Sequence, residues 1–219
     1  MGRAKLKRFN EISGRDNVLQ ENAPLYSKLK GNWNRDYFRT YQPITIEMGC
    51  GKGEYTVGLA RLNPDQNYVG VDIKGDRLWA GSTMCIDEGI HNAAFLRAQI
   101  QHIDQFFQED EVSSIWITFP DPRPRDRDIK RRLTSPRYLE MYRRILRPQG
   151  WVYFKTDNQK LFEYTLEVLE ERTDIRNLSY TFDLYNSEYV HEHHGIQTTF
   201  EKKYLAKGIR IKYLKFRFQ

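Results

Sequence analysis

Several absences narrow this sequence before any motif is read. Its 219 residues contain only two cysteines, Cys50 and Cys85, and they do not form a C-x-x-C pair. Neither a disulfide scaffold nor a cysteine zinc framework is therefore indicated. Cys50 sits in a glycine loop with no histidine near it in sequence, which reads as a small side chain at a backbone turn rather than a nucleophile. No apolar run approaches the roughly eighteen residues that a spanning helix needs. The start, Met1-Gly2-Arg3-Ala4-Lys5-Leu6-Lys7-Arg8, is basic without an apolar segment behind it, so no leader is read. A cytoplasmic protein with no membrane association is the expectation. Internal repeats and low-complexity tracts are also missing, which argues against solenoids and disordered linkers.

What is present suits one α/β domain. Hydrophobic residues make up 39% and aromatics 14%, enough to build a sizeable core. Lys and Arg number 35 against 29 Asp and Glu, a net +6, which favours a polyanionic partner. Residues 1–40 mix cations with aromatics, among them Arg3, Lys5, Lys7, Arg8, Trp33, Arg35 and Tyr37, and show little periodicity. They read as a basic N-terminal arm ahead of a domain spanning residues 41–219.

From Pro43 onward, strand-like and helix-like stretches alternate, the pattern of a doubly wound sheet. Strands are expected near residues 44–48, 67–72, 93–97, 114–119 and 150–155. Helices are expected from Glu54 to Asn63, stopped by Pro64, and from Asp76 to Glu88. Ser135-Pro136 is a start signal, an N-cap serine with proline at the first helical position, and Tyr138, Met141, Tyr142 and Ile145 then recur at helical spacing. A further helix runs to about Arg172, and residues 178–184 and 209–218 read as two late strands. The expected fold is α/β: a doubly wound, mostly parallel seven-stranded sheet with a C-terminal antiparallel hairpin.

The stretch Ile44-Thr45-Ile46-Glu47-Met48-Gly49-Cys50-Gly51-Lys52-Gly53 reads as a buried strand breaking into a glycine loop that opens a helix. Its G-x-G-x-G is not a phosphate loop, and it misses the dinucleotide fingerprint by one position. Glu47, at the carboxyl end of the first predicted strand, suits a ligand with positive charge and hydroxyls better than a pyrophosphate. Asp72 ends the second strand, placed to accept from ribose hydroxyls. These residues favour S-adenosylmethionine over NAD or a purely structural glycine turn. Gln99 lies where a side chain can meet an adenine edge. The fourth strand ends in Pro120-Asp121-Pro122-Arg123-Pro124-Arg125, where prolines stiffen the backbone around Asp121.

Arg123, Arg125, Arg127, Lys130, Arg131 and Arg132 follow within ten positions, an anion-binding density that favours nucleic acid over a small acidic metabolite. Asp126 and Asp128 interrupt the run and offer local pairing. The fifth strand delivers Thr156-Asp157-Asn158 to the same edge, where Asp157 or Asn158 also suits a helix cap. His191-Glu192-His193-His194 suggests a metal, yet no further ligand set accompanies it, so it reads as a mobile polar loop and no metal is expected.

These motifs together resemble the bacterial tRNA (guanine-N7-)-methyltransferase family, whose members are class I S-adenosylmethionine-dependent methyltransferases. Residues 46–53 resemble its cofactor loop and Gly70-Val71-Asp72 its ribose segment. Phe119-Pro120-Asp121-Pro122 with Lys130-Arg131-Arg132 resembles its signature. Phe154-Lys155-Thr156-Asp157-Asn158 and Thr198-x-Phe200-Glu201 resemble its substrate segments. The resemblance implies a Rossmann-like class I methyltransferase fold and transfer of a methyl group from S-adenosylmethionine to N7 of a variable-loop guanine in tRNA. It implies Glu47, Gly49, Gly51, Asp72, Gln99 and Asp121 on the cofactor, with Asp121 as the catalytic carboxylate. Arg125, Asp157, Thr198 and Glu201 would hold the nucleotide. Arg123 stands where the family usually has tryptophan and Arg125 where it has lysine. Asp72 stands where glutamate is commoner, and Gln99 where an acid or amide is usual. An inactive RNA-binding module and a small-molecule N-methyltransferase are the rival readings, and the oligomeric state, monomer or homodimer, is left open.

Overall fold

A computed structural model describes residues 3–219, so the first two residues of the expected arm lie outside it. The chain begins with α1 (Arg3–Glu11) and the two-residue strand β1 (Val18–Leu19), followed by a π-helical turn at Trp33–Phe38. Five parallel strands come next with their crossover helices: β2 (Ile44–Met48), α2 (Glu54–Leu62), β3 (Asn67–Asp72), α3 (Gly75–Glu88), β4 (Ala93–Arg97), β5 (Val112–Thr118), α4 (Pro136–Ile145) and β6 (Leu146–Thr156). The chain closes with α5 (Gln159–Glu170), β7 (Ile175–Thr181), α6 (Thr199–Leu205) and β8 (Lys212–Phe218).

The sheet order is β1-β4-β3-β2-β5-β6-β8-β7. Only β8 runs against its neighbours, pairing antiparallel with both β6 and β7. The doubly wound class and the antiparallel C-terminal pair are as expected. Every residue of β2 and β3 is buried, as strands covered on both faces require. One face carries Leu139 and Tyr142 of α4, Leu161 and Phe162 of α5, and Trp33. The other carries Tyr55 and Val57 of α2, Leu78 and Cys85 of α3, and Ile12. Among the described residues no helix is long and apolar enough to cross a membrane.

The strand count differs from the expected seven, because residues 18–19 add an eighth strand beside β4. Two residues on a sheet edge are too few for any periodicity to show in sequence. The late strands are also offset: β7 ends at Thr181, whose hydroxyl oxygen accepts from the Asp183 N–H at 3.1 Å and turns the chain away. Within the segment read as an arm, Ile12, Leu29 and Trp33 are almost wholly enclosed. Trp33 stacks on Phe107 with ring centroids 5.1 Å apart, and its indole N–H donates to the Phe106 carbonyl at 2.8 Å.

Trp33→Ala removes this stack from the core and leaves the Phe106 carbonyl without its donor. Unfolding in urea is expected to show a loss of about 3–5 kcal/mol. A loss below about 0.5 kcal/mol, the range of neutral surface changes, would mean that the segment folds apart from the domain.

Candidate functional site

The carboxyl ends of β2 to β6 open on one edge of the sheet, where the chain leaves in loops. The glycine loop between β2 and α2 is held down by β3: the Gly49 and Cys50 N–H groups both donate to the Val71 carbonyl, at 2.8 and 3.0 Å. At Gly53, φ is +72° and a Cβ would come within 2.4 Å of the Phe95 ring, so only glycine fits there. At Gly51, φ is +56° and nothing lies within 4 Å of a Cβ position, so this backbone faces open space where a ligand can approach. Cys50 is buried, and burial raises its thiol pKa well above the ordinary value, which keeps it protonated.

Two acidic side chains meet this loop in different ways. The Asp72 carboxylate accepts from the Gly51 N–H at 3.0 Å and the Lys74 N–H at 2.8 Å. Each of its oxygens keeps acceptor capacity for a ligand hydroxyl. Glu47 is buried and turned inward. One oxygen accepts from the Thr56 N–H at 2.9 Å and the Thr56 hydroxyl at 2.5 Å, and the other from the Thr118 hydroxyl at 2.5 Å. Burial pushes its pKa up to about 7, against the lowering effect of these bonds and of Lys155. Glu47 thus ties β2 to the first turn of α2 and to the end of β5. Gln99 is exposed at the start of the turn Ile100–Gln105, and its side-chain oxygen accepts from Gln101 at 2.7 Å.

After β5 the chain makes a strained turn, with Phe119 at φ +48° and Arg123 at φ +46°, conformations that non-glycine residues adopt only when their surroundings enforce them. Phe119 is fixed by its N–H, which donates to the Lys155 carbonyl at 2.9 Å. Arg132 clamps the far side: its guanidinium donates to the Pro122 and Arg123 carbonyls at 3.2 Å each and lies 4.3 Å over the Tyr164 ring. Asp121 projects from this turn with its side chain 63% exposed, pairing with Arg123 Nε at 3.3 Å. Arg131 pairs with Asp128 at 3.1 Å, the local pairing that the interrupting acids suggest. Arg125, Arg127 and Lys130 are exposed.

Asp157 follows β6 half-buried, and its backbone carbonyl accepts from Lys212 Nζ at 2.9 Å. Burial raises its carboxylate pKa. Asn158, not Asp157, caps α5, accepting from the Leu161 N–H at 2.8 Å. Thr198 and Glu201 come together as a capping box at the start of α6. Glu201 is fully enclosed: it pairs with Lys155 Nζ at 2.8 Å and accepts from the Tyr185 hydroxyl at 2.9 Å.

The T-x-x-E spacing of a capping box was present in the sequence, whereas Thr56, Thr118, Lys155 and Tyr185 carried no readable signal as its companions and those of Glu47. The histidine segment is not a mobile loop. It forms the tight turn Val190–His193 with His193 buried against Tyr185, ring centroids 4.9 Å apart. Glu192 accepts from the Tyr213 hydroxyl at 2.6 Å and pairs with Lys215, so the segment is packed onto β8.

Comparison with known proteins gives the family of the chain. Residues 41–214 match the family described as "Putative methyltransferase". The tRNA (guanine-N(7)-)-methyltransferase of Cytophaga hutchinsonii is 49% identical over 219 residues, covering 100% of this chain and 99% of that protein. The enzyme of the same name from Bacteroides fragilis is 42% identical, covering 99% of this chain and 86% of that protein. Among solved structures, the 16S rRNA methyltransferase KamB superposes with a TM-score of 0.65 at 14% identity, covering 93% of this chain and 99% of that one, which speaks for the fold.

Glu47 gives a test in pH. A carboxyl group raised from 4.5 to about 7 in the folded state binds its proton more tightly there than when unfolded. Stability therefore falls as pH rises through that window, by about 3 kcal/mol. In Glu47→Gln the amide oxygen can still accept from Thr56, and the NH₂ can donate to Thr118, so the fold is kept and the titration removed. Chemical denaturation from pH 5 to 8 is expected to show the wild type losing stability relative to Glu47→Gln. Parallel profiles would mean that Glu47 ionises like an ordinary carboxylate.

Proposed function

The chain belongs to the tRNA (guanine-N7-)-methyltransferase family, and from that premise we propose that it methylates N7 of a variable-loop guanine in cytoplasmic tRNA, using S-adenosylmethionine. The observation that carries this reading is one sheet edge shared by the open glycine backbone at Gly51, the Asp72 carboxylate and the exposed Asp121 turn, with exposed cations directly after it. The donor set fits the cofactor. Asp72 has acceptor capacity to spare for ribose hydroxyls, Gly49 and Gly51 bring backbone close, Gln99 is exposed after β4 with its amide NH₂ available, and Glu47 holds the loop from beneath.

S-adenosylmethionine, when bound, supplies a sulfonium methyl group. Guanine N7 already carries an in-plane lone pair, so the protein needs no base to deprotonate it, and its contribution is placement. Asp121 accepts from the guanine N1–H and N2–H₂ groups and offsets the positive charge that the base gains. Asp157 and Thr198 line the nucleotide from the β6 side, Glu201 holds Thr198 in place from behind, and Arg125 contacts phosphate. Arg132 keeps the turn in shape.

Asp121→Asn is expected to bind S-adenosylmethionine normally, by calorimetry, and to lower single-turnover methylation of unmodified tRNA by roughly 100-fold. Product nucleosides are identified in the same assay. A rate near wild type would remove Asp121 from its role, and a methyl group on any atom other than guanine N7, or none, would overturn the function.

Replacing Arg125, Arg127 and Lys130 by alanine spares the Arg132 clamp. It is expected to weaken tRNA binding and to flatten the plot of log affinity against log salt by about 0.7 to 0.9 for each phosphate that these cations neutralise. An unchanged slope would show that they do not touch the backbone.

A further inference from the structure

Beyond β6, the sheet carries a second exposed feature level with the site. In register, Thr118 of β5 pairs with Lys155 of β6, Lys155 with Tyr213 of β8, and Tyr213 with Thr181 of β7. The end of β7 therefore stands at the same height as the strand ends from which Asp121 and Asp157 emerge, roughly 14 Å from β5 at three strand spacings. Tyr180 and Phe182 flank Thr181 and so face the same side of the sheet. Both rings lean on Phe162 of α5, with centroids 6.5 and 5.1 Å away, and they meet edge to face at 6.1 Å. They are nevertheless 45% and 40% exposed.

A continuous set of contacts joins this pair to the site. Lys212 Nζ donates to the Asp157 carbonyl at 2.9 Å and to the Arg210 carbonyl at 3.0 Å. Arg210 Nε lies 3.5 Å from the carboxylate of Asp183, the residue after Phe182, and the Arg210 side chain is 74% exposed. Lys160, in the first turn of α5, is exposed on the same edge. Two fixed, half-exposed rings bordered by cations suit an unpaired nucleotide, whose base stacks on a ring while its phosphate meets a cation. β-strand pairing with a second copy suits the edge poorly. β7 is bulged between Arg176 and Ser179, with Asn177 at φ +54°, which interrupts the ladder that an added strand would need.

We propose that Tyr180 and Phe182 form a stacking platform for an unpaired RNA base adjoining the nucleotide that is methylated. The platform rests on the tRNA reading above and extends it to a surface outside the catalytic turn. It acts on binding of the RNA and not on the transfer step.

The test is a Tyr180→Leu/Phe182→Leu double variant, which keeps apolar volume against Phe162 and removes both π faces. With unmodified tRNA, KM is expected to rise about tenfold or more, while kcat and S-adenosylmethionine affinity stay within about twofold of wild type. Tyr180→Phe and Phe182→Tyr, which keep a ring, are expected to retain the wild-type KM. An unchanged KM in the double variant, with wild type active on tRNA, overturns the platform and leaves the proposed function standing. A loss of kcat without a rise in KM also overturns it. If sedimentation shows a wild-type dimer that the double variant loses while KM is unchanged, the face is a contact between copies. Wild type inactive on tRNA overturns the function itself, and the platform with it.

Discussion

The buried ion pair between Lys155 and Glu201 is the contact on which the site edge depends. Both side chains are fully enclosed, 2.8 Å apart. Removing either partner would strand a charge away from water, which is far costlier than any exposed pair is worth. Because the cost is so high, the elements that carry these residues are fixed relative to each other. Lys155 sits near the end of β6, and its carbonyl receives the N–H of Phe119, the residue that starts the strained Asp121 turn. Its ammonium lies 4.2 Å over the Tyr55 ring of α2. Glu201 brings α6 to the same point. One pair thereby sets the strained turn, the cofactor-side helix and the last helix in a common frame.

Glu47 extends this frame beneath the glycine loop. Its bonds to Thr56 and Thr118 join α2 to the end of β5, and Lys155 is the nearby positive charge that favours its ionised form. The frame reaches forward too. Glu54, the first residue of α2, accepts from the Thr199 N–H at 2.9 Å, which fastens the start of α6 to the helix that opens after the glycine loop. Loop, turn and late helix are therefore tied together by a few polar contacts, most of them buried. That is the arrangement expected where catalysis is chiefly placement.

How much of this was legible in sequence follows from what each residue type can reveal. β2, β3 and β4 could be read to the residue because each is a short stretch rich in apolar and β-branched or aromatic residues, set between turn signals and helical patterns. β1 could not, since its pairing is long-range and only two residues long. The sequence placed Glu47 and Asp72 as acids at strand ends, but it could not say which lone pairs were already taken. Asp72 accepts one backbone N–H on each oxygen beside the open glycine backbone, whereas Glu47 accepts three bonds from Thr56 and Thr118 beneath the loop. The histidines read as a loop because His193 has no periodicity to betray its burial, and that burial comes from Tyr185.

The two acids proposed to act on ligands differ most in exposure, and the difference fits what each would meet. Asp72 is 8% exposed and hydrogen-bonded to the Gly51 N–H, beside backbone that faces open space. Asp121, which on the proposed reading meets a base of a large polyanion, stands in the open on a turn that is stiff instead of buried. Its partner in this structure is Arg123, through the guanidinium Nε at 3.3 Å and the backbone N–H at 3.2 Å. An exposed pair of this kind is worth about 0 to 1 kcal/mol. On the proposed reading, guanine N–H groups can therefore replace the Arg123 guanidinium at the carboxylate with little loss.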